Sequence, residues 1–125
     1  MNLSKKVLII DENILDVMEA EKHLRNAGYE VAKLASPHGC VAKIDYEKPD
    51  ILLIDISMAR LNAQTLFEAL HESPDHEELI VVLFSDLDAE NLRAICVEHD
   101  FHGYFCKSMG IDQIARFLDN FYEEY

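Results

Sequence analysis

Leu79-Ile-Val-Val-Leu-Phe84, closed by Ser85-Asp86, is the stretch that decides the fold. It is apolar throughout, with no polar residue at alternate positions. A strand written this way is buried on both faces, as strands are in parallel sheets sandwiched between helices. Lys6-Val-Leu-Ile-Ile10 has the same design and stops at Asp11-Glu12, and Ile51-Leu-Leu-Ile54 stops at Asp55. Gly103-Tyr-Phe-Cys106 is a shorter run ending at Lys107, and Glu30–Ala35 is a weaker strand candidate.

Amphipathic stretches separate these runs. Asn13 is placed to cap a helix reaching about Ala27, with Asp16 three residues on, Ile14, Val17, Met18 and Leu24 as its apolar stripe, and Gly28 as its stop. Ser36-Pro37 reads as an N-cap followed by proline at the first helical position, with Val41 and Ile44 facing inward. A helix around Ala63–His71 carries Leu66, Phe67 and Leu70, and the polar stretch Glu72–Glu78 reads as a solvated loop. Asp88 caps a helix through about His99 with Leu92 and Ile95 inward. The last helix shows Ile111, Ile114, Leu118 and Phe121 at helical spacing, and its acidic end, Glu123-Glu124, opposes the helix dipole and should fray. Five strand–helix units in alternation predict a doubly wound α/β fold. Its five-stranded parallel sheet should follow the flavodoxin-like order 2-1-3-4-5, with helices on both faces and right-handed crossovers.

Length and composition agree with one domain spanning residues 1–125. The chain is half hydrophobic and 28% charged, and its mean hydropathy is -0.06. Its formal net charge is -13, a field that repels phosphate backbones and anionic lipid, so neither nucleic acid nor membrane is an expected partner. Cys40, Cys96 and Cys106 are odd in number and widely spaced, which fits reduced core thiols in a cytoplasmic protein. No apolar run is long enough for a signal sequence or a membrane span.

In an open parallel sheet, ligands bind beyond the carboxyl ends of the strands, where the strand order reverses. The residues that end the apolar runs therefore carry the information: Asp11, Glu12, Asp55, Ser85 and Lys107. In the expected order, strands one and three are neighbours, so Asp11, Glu12 and Asp55 converge. Clustered carboxylates repel one another unless a cation joins them. Few carboxylates with open water positions suit Mg²⁺. A carboxylate nucleophile, a Mg²⁺ site, a hydroxyl and an ammonium are the parts needed to transfer a phosphoryl group onto an aspartate.

These residues resemble the receiver domains of two-component response regulators, and the match runs nearly the whole chain. The resemblance implies that Asp55, in Leu52-Leu-Ile-Asp-Ile-Ser-Met58, is the phosphoacceptor. It implies that Asp11, Glu12, Asp55 and the backbone carbonyl of Ser57 hold Mg²⁺, and that Ser85 and Lys107 contact the phosphoryl group. Tyr104, three residues before the lysine, matches the switch aromatic that moves inward as Ser85 shifts. The expected donor is a histidine kinase or histidine phosphotransfer protein. The expected response is a rearranged protein-binding surface on the fourth helix, fifth strand and fifth helix.

With no output domain expected in the chain, it would act on a downstream target protein or pass the phosphoryl group onward. Any catalysis would be limited to its own phosphorylation and dephosphorylation. The alternative is a degenerate receiver that serves only as a docking module. Departures from the family pattern are Glu12 for aspartate, Ala59 for proline, Ala63 for glycine, Asp86 at a normally small position and Ser108 for the proline after the lysine.

Competing chemistries lack their residues. An aspartate-nucleophile phosphatase needs a second carboxylic acid two residues after the first, where Asn13 stands. The acidic first turn is hostile to a flavin phosphate, and no glycine-rich phosphate loop exists. His99 and His102 have no further ligands at zinc spacing. Phe117, Phe121 and Tyr122 are candidates for a homodimer face, although core packing accounts for part of them.

Overall fold

A computed structural model describes residues 5–57, 63–72 and 78–122. The elements alternate as the sequence predicts: β1 (Lys6–Ile10), α1 (Ile14–Asn26), β2 (Glu30–Leu34), α2 (Cys40–Glu47), β3 (Ile51–Ile54), α3 (Ala63–Glu72), β4 (Ile80–Ser85), α4 (Ala89–His99), β5 (Gly103–Cys106) and α5 (Ile114–Asp119). The strands form one parallel sheet in the order β2-β1-β3-β4-β5. Ile10 pairs with Ile54, so the residues just past both strands, Asp11 and Asp55, emerge side by side.

Side chains alternate between the two faces of a strand, and each face here has its own core. Val7 and Ile9 of β1, Ile51 and Leu53 of β3, Val82 and Phe84 of β4 and Phe105 of β5 pack against Val17, Ala20 and Leu24 of α1 and Ile114 and Leu118 of α5. Leu8, Ile10, Leu52, Ile54, Val81, Leu83 and Cys106 point the other way, toward Ile44 of α2, Leu66 and Leu70 of α3 and Leu92 of α4. Burying a side chain of this size contributes roughly 1.5–3 kcal/mol, which explains why the central strands are apolar throughout.

Most local signals are realised. Asn13 Oδ1 accepts from the Asp16 amide at 3.1 Å, Asp88 Oδ1 accepts from the Asn91 amide at 2.8 Å, and Gly28 takes the positive φ that ends the first α-helix run. Three details differ from expectation. Ser36-Pro37 does not start α2: the Ser36 hydroxyl instead accepts from the His38 amide, and left-handed Gly39 delays the helix to Cys40. Ile14 and Met18 of the expected apolar stripe are 65% and 58% exposed, because only Val17, Ala20 and Leu24 face the sheet. Ile111 lies in a turn of 3₁₀ helix before a short α5, and Phe121 lies beyond its end, yet both pack toward the core. Ala59, most of the polar loop and Glu123-Glu124 lie outside the described residues.

Candidate phosphoacceptor site

The site is built from the residue that follows each strand. Counting by twos along β1, β3 and β5 carries the α1/α5 face forward to Asp11, Asp55 and Lys107. All three meet on that side of the rim. The Lys107 Nζ lies 2.6 Å from Asp11 Oδ2 and 3.1 Å from Asp55 Oδ2, and all three side chains are buried. Phe84, on the same face of β4, places its ring centroid 5.0 Å from the ammonium.

Local turns aim the carboxylates. Asp11 Oδ1 accepts from the Asn13 amide at 2.9 Å, and Asn13 in turn caps α1. Asp55 Oδ1 accepts from both the amide and the hydroxyl of Ser57, at 2.8 and 2.5 Å. One oxygen of Asp55 is thus held by its own turn while the other faces Lys107. The Ser57 hydroxyl contact was not legible in the sequence, which pointed only to that residue's carbonyl.

The two carboxyls differ in acidity. Burial pushes Asp11 up from the ordinary aspartate range, and the Lys107 ammonium and Asn13 amide offset this only in part. Burial also opposes ionisation of Asp55, but the two Ser57 hydrogen bonds and the Lys107 charge prevail and hold it below that range. Burial works against the Lys107 charge as well, yet the surrounding carboxylates raise its pKa, so it stays protonated. A nucleophilic carboxylate must be ionised, and Asp55 is the group kept so.

Ser85 and Tyr104 stand on the opposite side of the rim, over the α2/α3/α4 face. Ser85 is fully buried, and its hydroxyl accepts from the Leu87 amide at 3.2 Å. Tyr104 is half-buried against the Leu83–Leu92 core. Glu12 is exposed at the mouth, as are Asp86 and Ser108.

One residue of the cluster escaped the sequence reading as a site residue. Asp16, taken there only as the helix-capping partner of Asn13, places its Oδ2 2.9 Å from Lys107 Nζ. The signal was available: an acid in the first turn of the helix that covers the face shared by Asp11, Asp55 and Lys107.

The donor set suits a hard divalent cation, being carboxylate and carbonyl oxygen throughout. Asp11 Oδ2 is buried and accepts no aligned hydrogen bond, and the cation it faces is the Lys107 ammonium at 2.6 Å. Among the described residues no three acidic, histidine or cysteine side chains are arranged to hold a metal ion; Asp11, Asp16 and Asp55 are gathered about the Lys107 ammonium instead.

Other conspicuous groups have structural work. Cys40, Cys96 and Cys106 are free and buried, and burial pushes the Cys96 thiol up to about 11. His102 Nδ1 accepts from the Val81 amide at 3.0 Å, tying β5 to β4. Phe117 packs edge-on against Phe105 and Phe121 at 5.4 and 5.8 Å, which turns these rings inward.

Comparison with known proteins identifies the family and agrees with the fold. The family model of the response regulator receiver domain matches residues 7–119, and the chain belongs to that family. Response regulator PleD of Caulobacter vibrioides is 26% identical over 115 residues, which cover 92% of this chain but 25% of PleD. Protein PilH of Pseudomonas aeruginosa is 27% identical over 85 residues, covering 68% of this chain and 70% of PilH. The structure of chemotaxis response regulator CheY4 of Vibrio cholerae superposes with a TM-score of 0.83 at 18% identity, covering 94% of this chain and 98% of that one. A putative response regulator from Chloroflexus aurantiacus gives 0.81 at 23% identity, covering 94% and 97%. The chain is a receiver domain of two-component signalling, and no described helix is long and apolar enough to cross a membrane.

Proposed function

We propose that this receiver stores a signal as a phosphoryl group on Asp55, taken from a phosphohistidine donor. The observation that carries the reading is the buried Lys107 ammonium held between Asp11 and Asp55 at 2.6 and 3.1 Å. An oxygen of Asp55 forms a bond to phosphorus while the phosphorus–nitrogen bond of the donor imidazole breaks. The imidazole keeps the electron pair, and Asp55 becomes an acyl phosphate. Lys107 offsets charge on the phosphoryl oxygens. Asp11, Glu12, Asp55 and the Ser57 carbonyl would hold Mg²⁺, which supplies further neutralisation of that charge.

The switch follows from Ser85. Its hydroxyl accepts from the Leu87 amide through a lone pair, so the O–H remains to donate to a phosphoryl oxygen once the side chain moves across the rim toward Asp55. That movement displaces the loop leading into α4 and makes room for Tyr104 to turn inward. The surface that changes is formed by α4, β5 and α5, where Leu87, Val97 and Met109 already expose apolar area to a target protein. Exposed Ile14, Leu15 and Met18 on α1 offer an apolar margin beside the site for a kinase or histidine phosphotransfer protein.

Intact mass after incubation with acetyl phosphate or phosphoramidate tests the reading, since the chain has no tryptophan for a quenching assay. A gain of one phosphoryl group with Mg²⁺, lost in EDTA and in Asp55→Asn, is the expected result. No gain from either donor overturns it and leaves a docking module with an unused pocket.

A further inference from the structure

We propose that Asp16 is a positioning residue that shares the Lys107 ammonium with Asp11 and Asp55 and so restrains the entry of an anionic phosphoryl donor. This inference rests on Asp55 being the phosphoacceptor. Lys107 Nζ meets Asp11 Oδ2 at 2.6 Å, Asp16 Oδ2 at 2.9 Å and Asp55 Oδ2 at 3.1 Å. The ammonium donates hydrogen bonds to Asp16 and Asp55 and is ion-paired with Asp11, so three carboxylates share its charge.

Two consequences follow. First, one N–H that a phosphoryl oxygen on Asp55 would use is engaged by helix α1. Secondly, three carboxylates around one ammonium leave the cluster negative, on the side from which a phosphate must be neutralised. The placement is specific. Asp11 closes on the Asn13 amide, Asn13 closes on the Asp16 amide, and this succession of caps fixes Asp16 at the site.

Stability does not account for the third carboxylate. Asp11 and Asp55 already exceed the charge of Lys107, and the Asp16 side chain is 23% exposed. A third carboxylate with solvent access adds little to an ammonium whose charge two buried carboxylates already balance. Its charge nevertheless acts across one shared nitrogen on whatever binds at Asp55.

The test compares initial phosphorylation rates at saturating Mg²⁺ for the full chain and three variants: Asp16→Asn, Asp16→Glu and Glu19→Gln. Acetyl phosphate is a dianion near neutral pH and phosphoramidate a monoanion, so removing a negative charge must favour the former more. Asp16→Asn should take phosphate from acetyl phosphate about three- to tenfold faster, as expected for one partly screened charge at this range, and from phosphoramidate only about twofold faster. Asp16→Glu, which restores the charge, should stay near wild type for both donors. Glu19→Gln removes an exposed charge from the same helix and should leave both rates unchanged.

Equal rates in Asp16→Asn and wild type overturn the inference, as does an equal rise with both donors, which a merely structural effect would give. A Glu19→Gln response matching that of Asp16→Asn overturns it too, by making bulk charge sufficient. If neither the wild type nor any variant gains phosphate, the assignment of Asp55 fails and the inference falls with it.

Discussion

The two sides of the sheet's carboxyl rim are prepared differently. On the α1/α5 side, Asp11, Asp16, Asp55 and Lys107 are already assembled within 3.1 Å contacts. On the α4 side, the Ser85 hydroxyl is occupied by the Leu87 amide, away from that cluster. The difference has a physical cause. A charge cannot be buried without a countercharge, so the ionic side must assemble as the protein folds. A neutral hydroxyl can be buried with a single local backbone amide donating to it, and needs no countercharge. On the proposed reading, the ionic side serves reception and the hydroxyl side response.

Lys107→Ala is the strongest way to break this contrast. It leaves buried Asp11 and Asp55 facing each other without their cation, a change expected to cost about 3–5 kcal/mol. Urea unfolding should show that loss, and added Mg²⁺ should recover part of it by replacing the missing charge. A variant as stable as wild type without Mg²⁺ would mean the ionic side is not held together by Lys107.

Ser85→Ala probes the other side and should be milder. It removes one hydrogen bond to the Leu87 amide, worth about 1 kcal/mol, and leaves the ionic cluster untouched. Phosphorylation of Asp55 should persist while the response of the α4 surface is lost, measurable as unchanged mass gain with absent amide shifts around Leu87 and Tyr104. Amide shifts equal to those of wild type would remove the distinction between receiving and responding sides.

Asp11→Asn sharpens the contrast within the ionic side through its pH dependence. Burial raises the Asp11 pKa on folding. Its favourable contribution is therefore fully present below the ordinary aspartate pKa of 3.8 and is lost as pH rises through the folded value. At neutral pH the ionised Asp11 weighs against folding, so the asparagine variant should be the more stable protein there. Its advantage should shrink as pH falls toward the carboxylate range. Urea midpoints at neutral and acid pH check the sign. An advantage independent of pH would show that packing, not ionisation, sets it.

The residues best read from sequence were those whose roles are local or repeated. Asn13 and Asp88 cap helices because a short polar side chain reaches its own chain's amides. The runs in β1, β3 and β4 announced their burial because both faces of the sheet are covered. Ser36-Pro37 misled for the same local reason: a hydroxyl two residues before an amide serves a turn as well as a cap. Ile14 and Met18 misled because helical spacing defines a stripe without fixing its width.

What the sequence alone determined is the set of groups at the strand ends, the doubly wound order and the family to which they belong. The strand-end groups follow from hydrophobic period and the polar residues that interrupt it, and the family from the resemblance that those groups carry. What only the tertiary structure decided is which groups share a partner. Asp16 is 91 residues from Lys107 along the chain and touches it only because α1 crosses the face onto which β5 delivers the lysine. The Ser57 hydroxyl on Asp55 and the Ser85 hydroxyl on Leu87 depend likewise on turn conformations that composition does not specify. Periodicity tells which side of a strand a residue faces. Only the packing of helix on sheet sets the few ångströms within which charge and hydrogen bonding act.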